Sequence, residues 1–237
     1  MIEKEKIIGI IGGMGPMATV DLFNKIVVNT NASSDQEHIR IIIDNNTSIP
    51  DRSNAIINNG ENPVLEIVNT ASKLLDSGAN VLIMSCNTAH YFYKDIKKRI
   101  DEKYKNEDYV FLNMIEETSK FVKLNNIKNI YLFATIGTYQ SRVYQDVFTE
   151  HGINIIMPDS ENQNIIMESI YNYKKGINNY HKKEFADIID DSKKYENIKF
   201  LLGCTELPII FKEIGLLNDV IDPTEILAKA AIKMVKK

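Results

Sequence analysis

The sequence predicts an α/β protein of two similar lobes, each a mostly parallel sheet flanked by helices, with its active site in the cleft between them. Three observations lead there. Short β-branched runs alternate with longer amphipathic segments, the pattern of parallel strands joined by covering helices. The chain has two cysteines, Cys86 and Cys204, and each closes a short apolar run and is followed directly or after one residue by Thr. Both segments belong to a longer weak repeat, in which Gly12 ends a strand 74 residues before Cys86 and Ala134 ends one 70 residues before Cys204.

Strands are expected near residues 6–12, 38–44, 80–85, 109–113, 128–134, 153–157, 197–203 and 219–222. A helix fits Pro63 to Ser77, where Val64, Leu65, Val68, Ala71, Leu74 and Leu75 recur at helical spacing and Gly78 supplies the stop. Glu161 to Lys175, ended by Gly176, is a second. The last helix opens on Pro223 and lines up Ile226, Leu227, Ala230, Ala231 and Met234 on one side. No Gly/Ser/Pro-rich linker separates the halves, so a tight connection of two crossings is expected. The first lobe then comprises residues 1–114 plus 212–237, and the second residues 115–211.

Bulk properties narrow the function. With 237 residues, 44% hydrophobic and 25% charged, the chain has the composition of a soluble globular protein. A net charge of −4 gives no support to nucleic-acid binding. The lysines between Lys94 and Lys105 are interleaved with acids and read as a solvated helix face. No apolar segment approaches the length needed to span a bilayer, and Met1 to Lys6 carries no secretory apolar region. The expectation is a cytoplasmic protein whose cysteines are thiols, without a membrane partner.

Three stretches can carry chemistry. Gly12-Gly13-Met14-Gly15-Pro16 follows a buried strand and opens a helix, as an anion-binding turn does. Gly13-x-Gly15-x-x-Ala18 also fits a loose dinucleotide fingerprint, with Asp44 at the end of the next strand as the ribose acid. That rival leaves both cysteine segments unexplained. In the loop Asn45 to Ser53, Arg52 suits bidentate recognition of a carboxylate, or else pairs with Asp51 on the surface. The cysteine segments put each sulfur at a strand's carboxyl end with a helix start pointed at it, which favours a thiolate. Each sulfur read singly is a small buried apolar residue. A zinc site from Cys86, His90, Cys204 and Glu206 lacks the usual ligand spacing, so no metal is expected. His90 reads as a residue that packs or tunes the cleft.

Taken together, these residues resemble the cofactor-independent aspartate/glutamate racemases, most closely the aspartate branch. The resemblance rests on Gly12-Gly13-Met14-Gly15-Pro16, Ile49-Pro50-Asp51-Arg52, Cys86-Asn87-Thr88-Ala89-His90, Thr135-Ile136-Gly137-Thr138 with Tyr144-Gln145, and Gly203-Cys204-Thr205-Glu206-Leu207. Gly-Met-Gly and Thr-Glu stand where glutamate racemases usually carry Asp-Ser and Thr-His. The resemblance implies that Cys86 and Cys204 are the catalytic acid/base pair. It makes Asn87, Thr88 and Thr205 holders of the amino and α-carboxylate groups, and Arg52 a carboxylate binder. Met14, Thr135 and Glu206 join them as binding residues, and Lys174 matches a family Lys that reaches the cleft, with Lys175 beside it as the competing choice. It further implies a small dicarboxylic amino acid as partner, no cofactor, and a homodimer.

Chemistry supports that assignment. The α-hydrogen of an amino acid is a very weak acid, and no pyridoxal-binding Lys is evident as an electron sink. Donors and cations must therefore stabilise charge on the α-carboxylate. Inversion needs a base on one face and an acid on the other, and thiols titrating near about 8.5 serve as either. Related two-cysteine isomerases such as a maleate isomerase, and from other classes a thiol redox sensor or a dinucleotide-binding protein, remain the alternatives.

Overall fold

A computed structural model describes residues 5–236 of the chain. The first half runs β1 (Ile8–Gly12), α1 (Pro16–Asn29), β2 (Ile41–Asn45), α2 (Arg52–Ile57), α3 (Val64–Asp76), β3 (Val81–Met84), a 3-10 turn (Thr88–Phe92), α4 (Tyr93–Lys103), β4 (Val110–Phe111) and α5 (Met114–Leu124). The second runs β5 (Asn129–Ala134), α6 (Ile136–Ser141), α7 (Val143–Glu150), β6 (Asn154–Ile156), α8 (Ser160–Lys174), α9 (Lys182–Ser192), β7 (Ile198–Gly203), α10 (Leu207–Ile214), β8 (Val220–Ile221) and α11 (Pro223–Val235). Local chemistry sets the ends. Asp51, Asn113, Thr135, Asp159 and Asp222 cap helices by accepting backbone N–H bonds that have no intrahelical partner. Gly78, Gly176 and Gly215 take the positive φ that ends α3, α8 and α10.

The strands form two four-stranded sheets, ordered β2-β1-β3-β4 and β6-β5-β7-β8. Every pairing is parallel. The same order therefore occurs twice, and in each sheet the chain direction of winding reverses between the first strand and the cysteine-bearing one. Ligands of open α/β sheets bind at the carboxyl ends of strands at such a reversal. Met14 and Cys86 follow β1 and β3 there; Thr135 and Cys204 follow β5 and β7.

Helices cover both faces of each sheet. On the first, Ile67, Ala71 and Leu74 of α3 with Ile96 and Ile100 of α4 form one core. Leu22 and Ile26 of α1 with Leu227, Ala228 and Ala231 of α11 form the other, against Ile8, Ile10 and Ile83. The second sheet is packed by Ile166, Phe185 and Phe211 on one side and by Val122, Tyr144 and Phe148 on the other. The last helix thus returns to the first sheet. Before it, β8 pairs with β7, and Phe211 and Ile214 sit in the second core.

Leu227 is fully buried where α11 closes the first sheet. Leu227→Ala is expected to lower the unfolding free energy by about 2–5 kcal/mol, read as a shift of the urea midpoint. A change below about 0.5 kcal/mol, the level of an exposed site, would show that α11 does not close that core.

Candidate active site

One cleft, with about 400 Å³ of empty space counting its open mouth, is lined by Met14, Arg52, Cys86, Asn87, Thr88, Thr135, Lys174, Cys204, Thr205 and Glu206. All ten residues singled out in the sequence meet there. Asp51, Ser53, Met167, Ile170 and Tyr171 complete the lining. The last three and Lys174 form a stripe at helical spacing along α8, so one helix supplies a whole wall. Lys174, not Lys175, is the residue that lines it.

The first lobe's loops are knitted from below. Thr19 Oγ1 accepts from the Gly13 N–H at 3.0 Å and lies 3.2 Å from Ser85 Oγ, which donates to Ile11 O at 3.3 Å. These contacts join the loop bearing Met14 to the strand end bearing Cys86. The glycines here answer to packing. A Cβ on Gly13, whose φ is +88°, would stand 2.2 Å from Asn46 O, and one on Gly12 would strike the Thr19 side chain. Asp44 turns to Lys73 on α3, 3.9 Å away. That accounts for the fingerprint without a nucleotide.

The lobes meet through buried hydroxyls. Thr88 Oγ1 lies 3.1 Å from Thr135 Oγ1 and 2.9 Å from Thr138 Oγ1, which are themselves 3.0 Å apart. Tyr144, fully buried, donates its phenol to Asn87 Oδ1 across the same junction. Burial pushes the Tyr144 phenol well up, so it stays a donor. With Oδ1 taken, Asn87 Nδ2 is buried without a partner among the described residues and belongs to a side chain that lines the cleft. Gly203 makes room for that ring, since a Cβ there would lie 3.2 Å from Tyr144 Cε2. On the cleft's flank a Cβ at Gly137 would fall 2.6 Å from Ser53 Oγ, so α6 and α2 touch at a glycine. Tyr144 and Thr138 were part of the quoted motifs but carried no assigned role. Thr19 and Ser85 gave no signal in the sequence.

Arg52 donates to Pro50 O at 3.0 Å, Met14 O at 3.3 Å and Ile49 O at 3.4 Å. Its Nε–H is buried and has no partner among the described residues. Asp51 caps α2 through the Asn54 N–H at 2.6 Å instead of pairing with Arg52.

Glu206 organises the opposite side. It is 2% exposed. Oε2 accepts from Cys204 Sγ at 2.9 Å and Thr205 Oγ1 at 3.2 Å, while Oε1 faces Lys174 Nζ at 3.5 Å. Burial and then the Glu206 carboxylate push the Cys204 thiol well above its ordinary range, against a smaller opposing pull from Lys174. This reverses the thiolate expected at Cys204 from the helix start alone. A nearby full negative charge outweighs a partial positive one. Partial burial works against the Lys174 ammonium, but Glu206 and the two sulfurs outweigh it and hold its proton more firmly than usual.

His90 is spent on backbone. Nδ1 lies 2.8 Å from Cys86 O, and Nε2 accepts the Met114 N–H at 3.1 Å. The ring therefore offers no free lone pair to a metal. Among the described residues no three of His, Cys, Asp and Glu converge on a metal-sized site. Nor is any described helix long and apolar enough to cross a membrane.

Two parallel α/β lobes thus carry a thiol at the equivalent strand end of each and share one cleft. A sequence model of the Asp/Glu/Hydantoin racemase family matches residues 11–231, and the chain belongs to that family. It is similar to the structure of Picrophilus torridus aspartate racemase, at 37% identity and a TM-score of 0.84 over 98% of this chain and 95% of that one. A glutamate racemase from Francisella tularensis solved with D-glutamate shares the fold, with 16% identity and a TM-score of 0.66 over 98% and 81% of the two chains. In sequence the chain is 25% identical over 230 residues to the broad specificity amino-acid racemase RacX of Bacillus subtilis, covering 95% of this chain and 96% of that one. Membership of that family makes the chain an isomerase.

Because Glu206 adds to burial in holding Cys204 as a thiol, Glu206→Gln is expected to move the pH profile of Cys204 alkylation, measured with Cys86 changed to Ala, to lower pH. The sign follows from charge: loss of the carboxylate removes the repulsion that disfavours a thiolate and frees Lys174 to favour it. An unmoved profile would show that Glu206 does not set the charge on Cys204.

Proposed function

We propose that the protein interconverts L- and D-aspartate by a cofactor-independent two-base reaction between Cys86 and Cys204. The observation that carries the reading is a single cleft that gathers both buried thiols, one from each lobe, with two buried unpartnered donors, Asn87 Nδ2 and Arg52 Nε. An unsatisfied buried donor costs about 1–3 kcal/mol, and a substrate carboxylate would relieve it. The Asn87 and Arg52 donors then take the α-carboxylate, and Thr88, Thr205 and Met14 shape the space around it.

The thiolate on one face removes the α-proton, and the electron pair of the broken C–H bond spreads into the carboxylate as an enediolate. The thiol on the other face then gives its proton to the same carbon, which inverts it. When Cys204 is the base, Glu206 is the group positioned to accept its proton, at 2.9 Å. We therefore read Glu206 as the proton partner of Cys204, not as a substrate ligand, since both its oxygens already hold protein groups. The substrate ammonium adds a positive charge beside the sulfurs and favours the thiolate the step requires. Lys174, at the mouth, exchanges Glu206 for the side-chain carboxylate of aspartate.

Similarity to the Picrophilus enzyme along nearly the whole chain supports aspartate, with glutamate next. A broader range of amino acids is the second reading. The apolar wall of Met14, Met167 and Ile170 and the partial neutralisation of Lys174 by Glu206 favour it. The two unbridged thiols and the family suit a cytoplasmic enzyme, which we take to be a homodimer.

Incubation in D2O with L-aspartate, L-glutamate and L-methionine, followed by chiral chromatography and mass spectrometry, tests the reading. D-aspartate carrying one deuterium at Cα is expected without added cofactor. Cys86→Ala and Cys204→Ala are each expected to reduce racemisation by at least about 1000-fold, as loss of an acid/base group does. Near-normal turnover by either variant rejects the two-base scheme.

A further inference from the structure

We propose that His90 is a positioning residue for Cys86, tying the backbone of the Cys86 segment to the start of the helix that leads into the second lobe. The inference rests on reading Cys86 as one of the two acid/base groups. Both ring nitrogens are engaged. A backbone N–H can only donate, so the Met114 bond at 3.1 Å makes Nε2 the acceptor. The proton therefore sits on Nδ1 and is donated to Cys86 O at 2.8 Å. The neighbours dictate this tautomer.

Next to it, the Tyr93 ring stacks on His90 at 6.1 Å between centroids and donates its hydroxyl to Phe111 O at 2.6 Å. Two side chains from the cysteine-bearing turn and its following helix thus hold both ends of the segment between β4 and α5. That segment leads directly into Ile115 and Val122, which pack with Tyr144 and Phe148 of the second lobe. The lateral position of the Cys86 sulfur is thereby referenced to the lobe that carries Cys204. Burial drives the imidazole down to about 4, so it stays neutral and serves as a spacer, not as an acid or base. No apolar side chain of similar size could donate at one end and accept at the other. A displacement of the reacting groups by about 1 Å costs up to about 100-fold in rate.

The test measures primary deuterium isotope effects on kcat/KM with L- and D-aspartate deuterated at Cα, for the unaltered enzyme, His90→Leu, His90→Asn and Cys86→Ala. His90→Leu is expected to lower kcat about 10–100-fold. It should raise the isotope effect for the enantiomer that Cys86 deprotonates and depress it for the other, whose slow step becomes reprotonation by Cys86. His90→Asn keeps a donor toward Cys86 O but loses the Met114 link. It should show the same divergence to a smaller degree, and it carries the test if His90→Leu does not fold. A merely structural role lowers the active fraction and leaves both isotope effects unchanged, and that outcome overturns the proposal. Substantial activity in Cys86→Ala overturns the two-base reading and this inference with it. An inactive Cys86→Ala beside unchanged His90 isotope effects overturns only the positioning role.

Discussion

The hydrogen-bonded seam between the lobes is the constraint on which the site depends. Thr88, Thr135 and Thr138 bond one another, and Tyr144 bonds Asn87, all of them buried residues. A buried hydroxyl left without a partner costs about 1–3 kcal/mol, so these groups resist separation unless a ligand replaces them. The seam therefore fixes the distance between two strand ends that neither sheet could fix alone. It also orients the Asn87 amide, leaving its N–H group with no partner among the described residues. Gly137 and Gly203 lie beside this seam because the approach there leaves no room for a Cβ.

Within that frame the two thiols are unlike. Cys204 donates to a carboxylate and is held protonated, with Lys174 compensating the charge from the mouth. Cys86 shares its strand-end segment with an imidazole that is neutral and bonded to backbone on both sides. Duplication of the β2-β1-β3-β4 order gave each lobe the same place for a sulfur, and the residues two and four positions later made the places chemically different. Glu206 and His90 are those residues.

Much of this was legible in the chain. The strands announce themselves because parallel strands buried on both faces are continuous apolar runs such as Val81-Leu82-Ile83-Met84 and Phe200-Leu201-Leu202. Cys86 and Cys204 stood out by their equivalent settings, and Arg52 by its place in the loop after the second strand, where a guanidinium suits a carboxylate. Other features were not legible, since they are set by tertiary contacts. The thiolate expected at Cys204 followed from a local feature, the helix start. Burial first, and then the Glu206 carboxylate, override it, and that carboxylate reaches the sulfur only through the particular rotamer of Glu206. Likewise the loose dinucleotide fingerprint is real as a pattern, yet its glycines are required by Asn46 and Thr19, residues that no spacing rule connects to them. The return of the last helix to the first sheet and its start at Pro223 were expected; that the short β8 joins the second sheet, by only Val220 and Ile221, was not legible.

The inequality of the thiols has a thermodynamic consequence under the two-base reading. Mirror-image amino acids have equal free energies in water, so the equilibrium constant is one and kcat/KM must be the same in both directions, whatever the protein does. The Glu206 carboxylate cannot favour one product at equilibrium. It can only change how the free enzyme divides between its two protonation forms and how tightly each form holds its own enantiomer. A Cys204 that prefers its proton selects the resting form with a thiol on the second lobe, and that form is the one ready to protonate an enediolate from the Glu206 side. Turnover in the opposite sense must first empty that proton onto Glu206, next to Lys174. The asymmetry built into the two cysteine segments therefore belongs in the separate values of kcat and KM for the two enantiomers, where equal ratios conceal unequal parts.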